Sequence, residues 1–300
     1  MVRVTTAVVQ RLGRKLAAGI CVALCLALLG GSAFADQPEP WQLGMQAAAT
    51  PITERLHEFH DELLIIICLI SAFVFALLLY VMIRFNARSH PVPSRTSHNT
   101  VVEVLWTVIP VLILVTIAIP SFKLMYYMDR VPDSKMTIKV TGHQWYWEYT
   151  YPDQGNLDFN SNLIADSDLK PGQPRLLEVD NPLVVPVDTT IRVQVAGTDV
   201  IHSWFVPSFG IQEYAVVGRL NEAWMHVNSV GTYYGECNQI CGVNHAFMPI
   251  QVVVLSQADF TKWLADAKTK FAADKPAGED ATQLADVAAS AQPEPARAGN

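Results

Sequence analysis

Charge is scarce in this sequence: Asp, Glu, Lys and Arg make up 16% of the 300 residues, against 51% hydrophobic. Soluble domains carry about 25% charged residues, so the shortfall points to long apolar runs. Positive charge is the scarcer sign, with 21 basic residues against 28 acidic ones, which argues against a nucleic-acid partner. No internal repeat is present, so a solenoid is excluded. No haem-binding constellation appears either.

The first apolar run is a leader. Arg3, Arg11, Arg14 and Lys15 precede Leu16–Leu29, no acid occurs before Asp36, and Ala33-Phe34-Ala35 has the small-x-small form of a cleavage site. Residues 1–35 are therefore expected to be a cleaved secretory signal, with an uncleaved third membrane helix as the alternative. A lipid anchor at Cys25 is disfavoured by the bulky Leu24. Cleavage removes four basic residues and no acid, leaving 17 basic against 28 acidic, a net charge of −11.

Two longer runs follow, about 63–83 and 104–122, each close to the ~20 residues that cross a bilayer. Pro110 and Pro120 in the second are tolerated where neighbouring groups satisfy the freed backbone. The loop between them holds Arg84, Arg88 and Arg95 and no acid from Arg84 to Thr100. By the positive-inside rule it faces the cytoplasm. Residues 36–130 thus read as an N-terminal segment and transmembrane hairpin in the bacterial inner membrane, multi-pass and in contact with lipid. The N-terminus and the C-terminal region then lie on the periplasmic side.

From residue 131 to 256 the pattern changes. Short runs rich in Val, Ile, Thr and aromatics alternate with turn residues: Met136–Val140, Trp145–Tyr151, Leu176–Val179, Thr190–Val195, Ala223–Val227 and Ile250–Leu255. Such spacing predicts an all-β sandwich or barrel. One amphipathic helix is expected over 257–272, capped by Ser256, and the Ala/Pro/Asp/Glu-rich stretch 273–300 is expected to be disordered.

Three cysteines remain after the leader. Cys68 falls in the first span and reads as a packing residue. Cys237 and Cys241 stand in Gly235-Glu236-Cys237-Asn238-Gln239-Ile240-Cys241-Gly242-Val243-Asn244-His245-Ala246-Phe247-Met248. A disulfide needs only the cysteines. Zinc accepts cysteine and histidine, but a thioether is not among its usual ligands. Copper takes Cys, His and a weak axial Met, and His202, in Asp199-Val200-Ile201-His202-Ser203-Trp204, is the candidate for a second imidazole. Two thiolates able to bridge would allow two coppers side by side. On spacing alone the disulfide and zinc remain alternatives to copper.

Cys-x3-Cys-x3-His-x2-Met after a distant His-Ser-Trp resembles the binuclear copper (CuA) motif of cytochrome c oxidase subunit II. The resemblance extends to Trp41-Gln42-Leu43-Gly44, His57-Glu58-Phe59-His60-Asp61, Glu103-Val104-Leu105-Trp106, Gly142-His143-Gln144-Trp145-Tyr146-Trp147, Leu177-Glu178-Val179-Asp180-Asn181 and Pro207-Ser208-Phe209-Gly210. It implies a transmembrane hairpin carrying a cupredoxin-like domain that takes electrons from cytochrome c. These would pass to haem in subunit I, where O2 is reduced to water with proton pumping; subunit III is a further expected partner. Two coppers would be bridged by Cys237 and Cys241 and held terminally by His202 and His245. Met248 and the Gln239 backbone carbonyl would be weak ligands. Trp145 would take up the electron, with Tyr146 beside it, and Glu103 would mark a proton-path entrance.

Between 136 and 255 there are 12 acidic and five basic residues, so Asp153, Asp158, Glu178, Asp180 and Asp199 are expected to help dock a basic cytochrome. The family commonly has Glu where this chain has Gln239. A neutral amide is a poorer ligand for Mg2+ or Mn2+ at the subunit I boundary, which puts that ion in doubt. A quinol oxidase subunit would lack the thiolates, and nitrous oxide reductase would lack the two spans. A membrane-anchored copper carrier or assembly protein is the alternative that would use the same ligands.

Overall fold

The computed structural model describes residues 34–272. The expected leader up to Ala33 and the expected disordered tail lie outside the described residues. Helices α1 (Pro51–Arg84) and α2 (Thr100–Asp129) form the hairpin. The strands are β1 (Phe34–Asp36), β2 (Met136–His143), β3 (Tyr146–Tyr151), β4 (Leu157–Ser161), β5 (Leu183–Pro186), β6 (Thr190–Gly197), β7 (His202–Val206), β8 (Ile211–Ala215), β9 (Asn221–His226), β10 (Gly231–Cys237) and β11 (Pro249–Leu255), and helix α3 (Gln257–Ala272) ends the described chain.

At ~1.5 Å per residue the 34 residues of α1 extend about 51 Å, well beyond a ~30 Å hydrocarbon core. The surplus lies largely at its N-terminal end, where Thr50 caps the helix by accepting a hydrogen bond from Thr53 N–H. There the helix docks on the β domain. The Thr50 hydroxyl donates to Phe209 O at 2.8 Å and the Thr53 hydroxyl to Ser208 O at 2.9 Å. The far end of α2 is held as well. The Arg55 guanidinium of α1 lies 3.6 Å from the centre of the Tyr127 ring, and Trp224 of β9 meets that ring edge-on and donates to Tyr127 O at 3.3 Å. Most of the apolar side chains along both spans are exposed, as a pair of lipid-facing helices requires.

The β region is a two-sheet, cupredoxin-like sandwich. One sheet runs β5-β11-β10-β7-β8 and the other β4-β3-β2-β6-β9. Most neighbours are antiparallel, but β2 pairs with β6 and β5 with β11 in parallel, joined through crossovers as parallel strands must be. Strand alternation sends Ile138, Val140, Trp147, Tyr149, Tyr151, Val193 and Val195 into the shared core from one side. Trp204, Val206, Ile250, Val252 and Val254 enter it from the other. Phe260 and Phe271 of α3 close one edge, with Phe271 stacked on Phe159.

Three local expectations change. The run 176–179 is a turn rather than a strand: Leu176 has φ +65°, and only Val179 makes an isolated bridge, to Leu163. Trp145 is not in the strand that follows it but in the two-residue turn between β2 and β3. The sequence also contains β4, β5, β7, β8 and β10, which the short-run pattern did not single out. In β4, β7 and β10 glycine, histidine, cysteine and serine dilute the β-branched signal; β5 is only four residues long, and β8 has a single β-branched residue.

Candidate metal centre

Strand pairing forces the ligand residues together. Cys237 ends β10 opposite Trp204 of β7, two residues on from His202, and Glu236 pairs with Pro249 at the start of β11. The segment 238–248 leaves and rejoins neighbouring strands, so it must fold back over the same end of the sheet. The Cys237 and Cys241 sulfurs are 3.9 Å apart and both cysteines are free. Cys241 Sγ also lies 3.6 Å from His245 Nδ1 and 3.6 Å from Met248 Sδ. His202 joins the two cysteines with ligand atoms all within 4.8 Å of one another. The Gln239 carbonyl oxygen is 3.3 Å from Cys237 Sγ. All six expected ligands thus converge on one end of the sandwich.

The donors fit copper. His202 is fully buried, and its Nε2 is 2.9 Å from Asp199 Oδ1. A carboxylate can only accept, so Nε2 carries a proton, and the neutral imidazole presents its lone pair at Nδ1. Nδ1 is buried without a partner, which is costly unless something electrophilic meets it. Two thiols, two imidazoles and a thioether form a set that copper accepts and zinc does not ordinarily use in full. Burial, followed by the proximity of Cys237, pushes the Cys241 thiol up to about 12. A metal cation reverses this preference, so loading must displace thiol protons.

A shell of hydrogen bonds fixes these ligands. Burial alone would raise the Asp199 carboxyl, but bonds from His202, Val200 N–H and Gln144 N–H outweigh it and hold the group below the usual carboxylate range. The bond from Gln144 N–H is 2.6 Å long. Gln144 Nε2 and Trp145 Nε1 both donate to the Cys241 carbonyl, at 2.8 and 3.3 Å. Trp147 Nε1 donates to Met248 O at 3.2 Å, and its ring meets His202 edge-on at 6.0 Å. Two glycines make room. A Cβ on Gly142 would sit 2.9 Å from the His202 ring, and one on Gly242, where φ is +127°, would sit 2.8 Å from the Trp145 ring.

The other expected site residues are dispersed. Tyr146 is half-buried at the start of β3, stacked on His143. Asp153 accepts from Thr137 N–H, and Asp158 pairs with Thr150, both at the end of the β2–β3 hairpin remote from Trp145. Asp180 is exposed and accepts from the Asn162 backbone and side chain. Glu178 is only 8% exposed and accepts from Gln173, Tyr234 and Gln251, so it serves the interior and does not form a docking surface. Asp199 is an outer support of His202 before it is a surface charge. Glu103 is half-exposed in the first turn of α2, where its carboxylate accepts from Asn99 N–H at 3.1 Å. Sequence reasoning did not assign Gln144 a role at the metal, although its place beside Trp145 was the available signal.

Replacing Asp199 with Ala leaves His202 Nε2–H unanchored, and copper affinity is expected to fall about 10- to 100-fold. Competitive copper titration measures this; unchanged affinity would show that Asp199 does not orient the ligand.

Known proteins share both parts of this architecture. The family model described as "Cytochrome C oxidase subunit II, periplasmic domain" matches residues 136–255, and the one described as the transmembrane domain matches 38–124. The chain is 50% identical over 249 residues to "Probable cytochrome c oxidase subunit 2" of Rickettsia bellii, covering 83% of this chain and 92% of that one. It is 48% identical over 240 residues to "Cytochrome c oxidase subunit 2" of Oenothera berteroana, covering 78% and 93%. The crystal structure of the periplasmic domain of subunit II of cytochrome oxidase of Bradyrhizobium japonicum is 49% identical, covers 47% of this chain and 99% of that one, and has a TM-score of 0.45. With two apolar anchors, a cupredoxin-like domain and a buried Cys/His cluster in one chain, the protein belongs to the cytochrome c oxidase subunit II family.

Proposed function

We propose that this chain is the electron-accepting subunit of its oxidase, taking electrons from a cytochrome c outside the inner membrane and delivering them to haem in subunit I. Reduction of O2 to water, coupled to proton pumping, then takes place in subunit I, with subunit III as a further partner. Cys237, Cys241, His202 and His245, with Met248 and the Gln239 carbonyl as weaker donors, would hold a pair of coppers, which would supply a one-electron acceptor when bound.

The observation that carries this reading is the double use of Cys241. Its sulfur faces Cys237, His245 and Met248, while its carbonyl receives the indole N–H of Trp145 at 3.3 Å. Trp145 is only partly buried, so one aromatic ring connects the outside to the bridging residue in a single hydrogen bond. Tyr146 lies beside it. Asp199 and Glu148 lie beside this turn and Asp180 is exposed, so these acids would attract a basic donor, while Asp153 and Asp158, at the far end of the hairpin, add only to the domain's overall negative charge. No Mg2+ or Mn2+ is assigned to Gln239, whose side chain offers a hard cation no charge.

In the intact oxidase, Trp145→Phe removes the N–H donor but keeps a ring. Stopped-flow reduction by cytochrome c is expected to slow by about tenfold or more with copper content unchanged, and the wild-type rate is expected to fall as salt is raised. A full rate in Trp145→Phe would remove Trp145 from the path, and a salt-independent rate would remove the acidic docking surface.

For Glu103 we propose the proton-path entrance at the cytoplasmic start of α2, where its carboxylate already caps the helix. Glu103→Gln retains the capping acceptor and loses the charge. Proton-coupled haem reduction should slow while copper loading persists; unchanged turnover would leave Glu103 only its cap.

A further inference from the structure

The turn that carries Trp145 springs from a histidine. His143 is the last residue of β2 and pairs directly with Tyr146 across the hairpin. Its ring lies flat on Tyr146, with centroids 4.6 Å apart and planes 2° from parallel. Nε2 is 3.1 Å from Glu148 Oε2, and Nδ1 is 2.9 Å from Thr198 Oγ1. The Glu148 carboxylate can only accept, so Nε2 carries a proton. Thr198 has one hydroxyl proton and two neighbours able to accept it, His143 Nδ1 and Gly142 O at 3.2 Å. If the proton goes to Gly142, the imidazole is doubly protonated and paired with Glu148; if it goes to Nδ1, the imidazole is neutral. Both arrangements keep both ring nitrogens bonded. The imidazole side chain is only 18% exposed, so it has little freedom to serve as a surface contact.

The two anchors come from different parts of the fold. Glu148 and Tyr146 belong to β3, beyond the turn. Thr198 opens the loop that goes on to Asp199 and His202. Thr198 N–H donates to Gly142 O at 3.2 Å, and the Asp199 carboxylate takes Gln144 N–H. The β2–β3 turn is therefore stitched to the loop that orients a metal ligand, and His143 is the side chain that closes the stitch from the hairpin side.

We propose that His143 is a positioning residue for electron uptake, a strut from β3 to Thr198 that holds the Gln144–Trp145 turn against the Cys241 carbonyl. This rests on Trp145 being the uptake residue. Loss of the strut frees the turn and lengthens the indole-to-carbonyl contact, while His202 and Met248 keep the supports that lie outside the turn, the Asp199 carboxylate and the Trp147 indole.

The test uses the assembled oxidase with a soluble basic c-type cytochrome as donor. In His143→Leu, which keeps bulk and loses both bonds, copper content and the copper EPR spectrum are expected to match wild type. Turnover kcat is expected to fall about tenfold, as for a misplaced reacting group, with KM little changed. His143→Gln, which can still donate to Glu148, is expected to recover most of the rate. A normal kcat in His143→Leu, or a loss carried wholly by KM, would overturn the strut, the latter by making His143 a donor contact. If His143→Leu fails to load copper, Thr198→Val severs the Nδ1 end and leaves the Glu148 end, while Gly142 O, which loses the hydroxyl, keeps its bond from Thr198 N–H. A smaller drop in kcat with copper intact supports the strut, and no change overturns it. Trp145→Phe measured in parallel separates the two readings. A full rate there removes the uptake assignment itself, whereas a slow Trp145→Phe beside a normal His143→Leu removes only the strut.

Discussion

The fixed position of Cys241 is the constraint on which the site depends. Its sulfur is the hub of the donor cluster, within 3.9 Å of Cys237 Sγ, His245 Nδ1 and Met248 Sδ. Its carbonyl is clamped by two N–H donors from the β2–β3 turn, Gln144 Nε2 and Trp145 Nε1. One residue thus belongs to the metal centre on one side and to the outer surface on the other. Everything that determines the Cys241 backbone also determines how an external electron would reach the ligands.

That backbone is determined by the sandwich. β10 and β11 are paired over six positions, and β10 meets β7 at Cys237, so the ligand loop springs from three strands that cannot shift independently. The core beneath includes Trp147, which is both a packing residue and a hydrogen-bond donor to Met248 O. The same sandwich is tied to the membrane hairpin through Thr50, Thr53 and Trp224. Ser208 and Phe209, which receive the threonine hydroxyls, follow β7 directly. The strand that begins with the candidate ligand His202 therefore leads to the foot of a membrane helix. Such a link suits the proposed delivery of electrons to a partner in the membrane.

Much of this was legible in the sequence, and the exceptions have physical causes. The spans stood out because uncharged runs of that length have few other uses. The candidate ligands stood out because Cys, His and Met recur at short fixed intervals, a local signal, whereas His202 entered as the second imidazole such a set needs and through the His-Ser-Trp resemblance. The turn position of Trp145 was not legible: a run of aromatics reads as one strand, and nothing local says where a hairpin bends. Glu178 could not be distinguished from a surface acid, because its three donors, Gln173, Tyr234 and Gln251, converge only in the fold. Asp199 carried the same ambiguity. The family resemblance supplied the role of Trp145, but not its hydrogen bond to Cys241 or the supports around it, which depend on pairing between strands 50 to 100 residues apart in sequence.

Cys237 and Cys241 are proposed to hold two coppers that would share one electron. EPR of the copper-loaded protein in its oxidised state tests this most directly. The account predicts a seven-line hyperfine pattern, the signature of one unpaired electron spread equally over two copper nuclei. A four-line pattern would place the electron on a single copper and contradict it.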